Sequence, residues 1–178
     1  MQKKMRVQKM GSYIQRTLNY NEEIKGTAKQ HWIALLPRGI ISIFFFLLGT
    51  TGNEISMFVV FAIIALLLIA NPLIRFFTTE LTFTNKRLIG KNGFINTKSL
   101  DSPLNKINNV SVSNGIFGKI FGYGNVYITT SSGSYIYKGI AHPDNYKACL
   151  MNQIDQFDED RIKMQASEMA NAMKNIKL

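Results

Sequence analysis

Thiol and imidazole are scarce in this chain: one cysteine, Cys149, and two histidines, His31 and His142, serve 178 residues. A lone cysteine cannot close an internal disulfide and has no second thiol with which to share a metal, so disulfide scaffolds and zinc clusters are excluded. Within the run Ala148-Cys149-Leu150-Met151 it reads as a small buried core residue. Acids are short as well, with 11 Asp and Glu against 21 Lys and Arg and a net charge of +10. Catalysis needs titratable groups converging in a tuned environment, and neither histidine has acids or thiols beside it at a metal-ligand spacing. Gly115, Gly118 and Lys119 fail as a phosphate loop, because the glycine spacing is wrong and Ile120 stands where a Ser or Thr should hold magnesium. A tight helical turn with Ile116, Phe117, Ile120 and Phe121 packing inward explains that stretch better. The expectation is a protein that is not an enzyme and needs no metal or cofactor.

What the chain has instead is apolar surface, 46% of its residues, kept apart from its charge. The stretch from Ile55 to Ile74, ISMFVVFAIIALLLIANPLI, holds no charge. As a helix it is about 30 Å long, the thickness of a bilayer's hydrocarbon core. The preceding run from Trp32 to Gly49 is nearly as apolar but contains Pro37 and Arg38. It reads as a second, shorter span, with His31 and Trp32 at the interface and Arg38 snorkelling to the headgroups. Two helices apolar all round would be hard to enclose in a soluble domain of this size. Of the basic residues, eight precede Gly39, none lies between Gly39 and Ile74, and thirteen follow. Positive-inside then places both termini in the cytoplasm of a multi-pass protein, with the Gly49–Glu54 connection outside. Lys3, Lys4 and Arg6 imitate the start of a signal peptide, but no apolar run follows closely enough. A mitochondrial presequence over Met1–Leu18 is the rival reading, since that stretch is basic, free of acids and partly amphipathic.

After Thr78 the texture changes to short β-branched and aromatic runs broken by Gly, Asn, Ser and Asp, which is strand and turn punctuation. Strands are expected at 79–85, 87–91, 94–99, 107–112, 125–130 and 135–140, with hairpin bends at Asn92-Gly93 and Ser132-Gly133. Val126 and Ile128 share one face, Tyr127 and Thr129 the other, and Tyr135-Ile136-Tyr137 supplies an antiparallel partner. His142-Pro143-Asp144 reads as a turn into a helix whose apolar face is Tyr146, Leu150, Ile154 and Phe157. Beyond Asp158-Glu159-Asp160, a further seam of Ile162, Ala166, Met169, Met173 and Ile176 recurs at four, three, four, three. It suits either a self-association or partner helix or a plain surface helix.

In this order the residues resemble the bacterial PH domain family, whose membrane-anchored members precede the domain with a transmembrane hairpin. The resemblance lies in Asn21-Glu22-Glu23-Ile24 and Ala28-Lys29-Gln30-His31-Trp32 before the hairpin, then Thr84-Asn85-Lys86-Arg87-Leu88-Ile89 and Gly93 after it. It continues through Pro103-Leu104-Asn105-Lys106-Ile107-Asn108-Asn109-Val110, Ile116-Phe117-Gly118 and Gly122-Tyr123-Gly124-Asn125-Val126, and covers roughly residues 20 to 158. It implies an α+β membrane protein: a transmembrane helical hairpin plus a PH-like antiparallel barrel or sandwich capped by a C-terminal helix. Such domains mostly bind lipids, peptides or proteins, and the fold alone fixes no activity. The expected division is a basic N-terminal segment (1–30), the hairpin (31–77), the PH-like domain (78–158) and a helical tail (159–178).

Between Arg75 and His142 eight basic residues face two acids, Glu80 and Asp101. Arg75, Lys86, Arg87, Lys91 and Lys98 are the candidates for contact with an anionic inner leaflet, against the plainer alternative of a solvated basic face. Nucleic acid fits poorly, since the basic residues are scattered and the chain is anchored. The expected role is a binding or scaffold module at the cytoplasmic face of a bacterial inner membrane, engaging lipid headgroups and a protein partner or its own copies. A lipid-handling protein is the alternative.

Overall fold

The computed structural model describes residues 12–52, 54–93 and 98–176. A short helix α1 (Ser12–Thr17), with Ile14 buried, leads to strand β1 (Ile24–Ala28) and a 3-10 turn at Trp32–Leu35. Two long helices follow, α2 (Leu36–Thr50) and α3 (Ile55–Thr78). The remaining elements are β2 (Glu80–Thr84), β3 (Arg87–Asn92), β4 (Lys98–Pro103), β5 (Ile107–Ser113), α4 (Ile116–Phe121), β6 (Tyr123–Thr130), β7 (Gly133–Ala141) and α5 (Pro143–Ile176).

The segments Trp32–Thr50 and Ile55–Thr78 are long and apolar enough to cross a membrane. Their large side chains face outward: Ile40, Phe44, Leu66 and Leu67 are all more than half exposed. Water would penalise such a surface heavily, and apolar faces left this open suggest association with a membrane. Small residues bring α2 and α3 together. Ser42 is buried and its hydroxyl donates to the Ala65 carbonyl at 2.7 Å, and a Cβ on Gly49 would sit 3.0 Å from the Phe61 Cβ. Small-residue seams with an interhelical hydrogen bond are how helices pack where no hydrophobic drive separates them from their solvent.

The domain is two antiparallel sheets, β1-β2-β3-β4 and β5-β6-β7, rather than a closed barrel. Leu81, Phe83, Leu88 and Leu100 of the first sheet meet Val110, Val126, Ile128, Tyr137 and Ile140 of the second. Tyr146, Leu150 and Ile154 of α5 close the open end, with Phe157 and the partly buried Cys149 packed against them. The expected alternation along β6 holds: Val126 and Ile128 are buried while Tyr127 and Thr129 are half-buried on the other face. Ile136 and Tyr135 pair with Tyr127 and Ile128 as the partner strand.

Several expectations require correction. Residues 1–30 are not merely a basic lead-in, because β1 pairs with β2 across the intervening hairpin and forms the edge of the first sheet. The domain is therefore assembled from both sides of the hairpin. No boundary falls at residue 158, since α5 runs unbroken for 34 residues. Asn92 pairs with Lys98 as a strand residue of β3 and not as part of a two-residue bend, and the expected strand start at 94–97 lies outside the described residues. That register puts Leu100 in the core and Asp101 within reach of Arg87, which outweighs the local turn preference. The later bend falls at Ser131-Ser132, one residue earlier than expected, because Gly133 already pairs with Thr130.

Candidate functional site

Strand β7 lies across the base of the hairpin. Near its C-terminal end, the His31 N–H donates to the Gly139 carbonyl at 2.7 Å and the Ala141 N–H to the Lys29 carbonyl at 2.8 Å. Near its N-terminal end, the Asn92 side-chain amide donates to the Ile136 carbonyl at 3.1 Å, beside Arg75 in the last turn of α3. The Gln30 amide satisfies the Lys138 carbonyl at 3.0 Å. An edge strand that would otherwise expose its carbonyls is thus tied at one end to the chain entering the hairpin and at the other to the last residue of β3.

His31 caps the entry. Its Nδ1 accepts from the Ile33 N–H at 3.2 Å, and its ring stacks on Trp32 (6.1 Å between centroids) and on Tyr123 (5.9 Å). Trp32 is 59% exposed, and Arg38 is exposed near the start of α2. At the exit, Arg75 is exposed, its Nε donates to Asn71 Oδ1 at 3.2 Å, and it lines a cavity of about 330 Å3 with Asn92, Gly93, Ser134 and Tyr135.

Arg87 departs from the expected membrane contact. Its Nε and Nη2 donate to the two Glu22 carboxylate oxygens at 2.9 and 3.0 Å, Nη1 to Asp101 Oδ2 at 2.6 Å, and Nη2 also to the Thr17 carbonyl. The Glu22 side chain is completely shielded from solvent and takes two more donors, the Asn19 N–H at 2.9 Å and the Thr84 hydroxyl at 2.8 Å. Desolvation works to raise the Glu22 pKa, but the Arg87 hydrogen bonds, the Asn19 and Thr84 donors and the guanidinium charge overcome it and hold the group at about 2. The Glu22 hydrogen bond raises the Arg87 pKa, against desolvation and together with the Asp101 and Glu22 charges. This guanidinium locks α1, the approach to β1, β3 and β4 together, with four of its five N–H donors committed inside the protein.

Of the other expected surface residues, Lys86 is exposed in the turn between β2 and β3, and Lys91 is half-buried with a polar contact of its own. The backbone of Lys98 belongs to β4, and its side chain and that of Ile176 lie outside the described residues. The tail residues Ile162, Met169 and Met173 are 60 to 65% exposed, and Ala166 shares their exposed stretch of α5.

Two features escaped the sequence reading. Ile116, Phe117, Ile120 and Phe121 do not pack inward but stand 79, 68, 70 and 48% exposed, because the buried side of α4 is Gly118. The core also holds two phenols, Tyr137 and Tyr146, whose oxygens have no hydrogen-bond partner among the described residues. Burial pushes both pKa values up, with Tyr135 adding to the effect at Tyr137 and Tyr137 to that at Tyr146. Among the described residues no three His, Cys, Asp or Glu side chains gather as a metal site.

Two antiparallel sheets closed by a C-terminal helix, seated on an apolar hairpin, define a PH-like domain. Residues 42–169, well over half of the chain, match the bacterial PH domain family, and the chain belongs to it. Comparison with curated proteins and with solved structures finds no match.

Proposed function

We propose that the protein is a non-enzymatic membrane-anchored binding module. In this reading the hairpin spans the cytoplasmic membrane of a bacterium with both termini inside, and the PH-like domain engages a protein partner or further copies of itself at the inner face. The distribution of lysine and arginine supports that orientation. Exposed basic side chains such as Arg75 and Lys86 orient the domain on anionic headgroups, each adding about 1 kcal/mol near the surface.

The observation that carries the reading is α5. Its first half closes the core, and from Glu159 to Lys174 every residue is exposed, with Ile162, Met169 and Met173 forming an apolar seam 60 to 65% open among the described residues. A helix with an unpaired seam and heptad spacing is a coiled-coil half.

Native mass spectrometry of protein extracted gently with its own lipids tests this. A homo-oligomer or a stoichiometric partner, lost when Ile162→Lys and Met169→Lys are combined, is the expected result. A lipid-loaded monomer would reject it. That outcome favours the second reading, a lipid-handling protein, for which the Arg75 cavity at the hairpin exit is the supporting feature.

A further inference from the structure

Helix α4 concentrates exposed apolar surface more densely than any other described element outside the hairpin. Four large apolar side chains within six residues, Ile116, Phe117, Ile120 and Phe121, are left 48 to 79% exposed. The element carrying them is nonetheless firmly seated. Gly118 is buried, and a Cβ there would fall 2.3 Å from the Tyr123 carbonyl oxygen, so the helix backbone rests directly on the start of β6. Gly122 ends the helix at φ 72°, a conformation that glycine adopts without strain, and its carbonyl accepts from the His142 N–H at 2.7 Å. Just before α4, the Asn114 amide donates to Asp144 Oδ2 at 2.8 Å. A helix held by its glycine side, with every large side chain on the other, presents those side chains to something outside the domain.

Its position identifies what that is. Tyr123 follows α4 by two residues and stacks on His31, which stacks in turn on Trp32 at the entry to the first apolar helix. The exposed apolar cluster therefore sits two residues from a ring stack that leads to the hairpin entry and ends on an exposed tryptophan, the residue that favours the headgroup boundary. Lys119 is the one charged residue on α4, and its stem can lie along apolar surface while the ammonium stays among headgroups.

We propose that α4 is a membrane wedge: Ile116, Phe117, Ile120 and Phe121 insert into the headgroup and acyl boundary of the leaflet that the hairpin enters, with Lys119 on anionic headgroups. This second attachment, beside the first, fixes the tilt of the domain on the membrane and so the direction in which α5 projects. The proposal rests on the reading that the hairpin spans the bilayer.

The test uses the full chain in a Cys149→Ala background, with single probes introduced by Phe117→Cys, Ile120→Cys, Leu66→Cys or Asn105→Cys and labelled with an environment-sensitive fluorophore. Leu66 is an exposed residue of α3, and Asn105 is exposed near the end of β6 opposite Tyr123. The labelled proteins are reconstituted in phosphatidylethanolamine and phosphatidylglycerol vesicles that carry nitroxide lipids at shallow or deep positions. The expected result is deep quenching at Leu66, and shallow quenching at positions 117 and 120 several-fold stronger than at 105. If Leu66 is quenched while 117 and 120 behave like 105, the wedge is wrong and the spanning hairpin stands. Probes at 117 and 120 that are shielded from water yet not quenched by lipid would show a protein or a second copy covering α4, which also overturns the proposal. Failure to quench Leu66 would remove the spanning hairpin and the wedge with it.

Discussion

The Glu22 to Arg87 pair gives the most quantitative handle on this domain, because it joins residues 65 positions apart on opposite sides of the hairpin. Glu22 falls from an ordinary 4.5 to about 2 in the folded protein. A lowering of that size corresponds to at most about 3 kcal/mol, at roughly 1.4 kcal/mol per unit, and less as solvent screens the pair. Since the folded value is the depressed one, the stabilisation is present in full above pH 4.5 and drains away as pH falls through the window down to about 2. Glu22→Gln removes the charge, leaving Arg87 with only the half-exposed Asp101 as an ionic partner. Breaking a shielded pair on one side costs about 3 kcal/mol or more. For a chain of this size that lowers the melting midpoint by about 6 to 12 °C at neutral pH. The loss should be local first, with the amides of β1 exchanging faster because Glu22 holds the entry to that strand. Thermal melts of the reconstituted protein at pH 7 and across pH 2 to 4.5, with hydrogen exchange on residues 24–28, make the measurement. A Gln variant that keeps the parent's acid sensitivity, or leaves β1 exchange unchanged, would show that the pair does not clasp the two halves.

The other predictions concern packing. Gly90→Ala places a Cβ 2.2 Å from the Tyr137 hydroxyl oxygen, so it should destabilise the domain by about 1 to 3 kcal/mol, read as a lower melting midpoint. Tyr137→Phe removes that oxygen, which has no hydrogen-bond partner among the described residues. Alone it should change stability by less than about 1 kcal/mol, and combined with Gly90→Ala it should restore only part of the loss, because the ring carbon Cζ would still lie 2.8 Å from the new Cβ. In the hairpin, Gly49→Val would place a Cβ 3.0 Å from the Phe61 Cβ, with two methyl groups beyond it. It should part α2 from α3, read as weaker resonance energy transfer between dyes placed on the two helices. Ser42→Ala should cost only about 0.6 kcal/mol, the usual worth of an interhelical hydrogen bond in a membrane.

These sites also show how anchor and domain depend on each other. β1 enters the sheet only because Gly26 leaves room for Phe83, whose ring atoms lie 2.5 Å from where a Cβ would be. The chain then passes directly from β1 through Gln30 and His31 into α2. With α3 feeding straight into β2 at the other side, hairpin and sheet share both junctions. The orientation of the domain therefore follows that of the helices.

What was legible in the sequence is what local pattern encodes. Two apolar runs, the first broken near its start by Pro37 and Arg38, mark the hairpin without any knowledge of neighbours, alternation marks β6, and the four- and three-residue spacing of Tyr146, Leu150, Ile154 and Phe157 marks the closing face of α5. Pairing between distant segments leaves no such trace. That β1 crosses the hairpin to join β2, and that Arg87 spends its charge on Glu22 rather than on a headgroup, follow from contacts more than 50 residues apart. The same holds for α4. Its sequence, IFGKIF, is equally suited to packing inward or outward, and only the seating of Gly118 against the Tyr123 carbonyl decides which side meets the core. Periodicity is a property of the chain, whereas the face an element buries depends on which neighbour the fold brings against it.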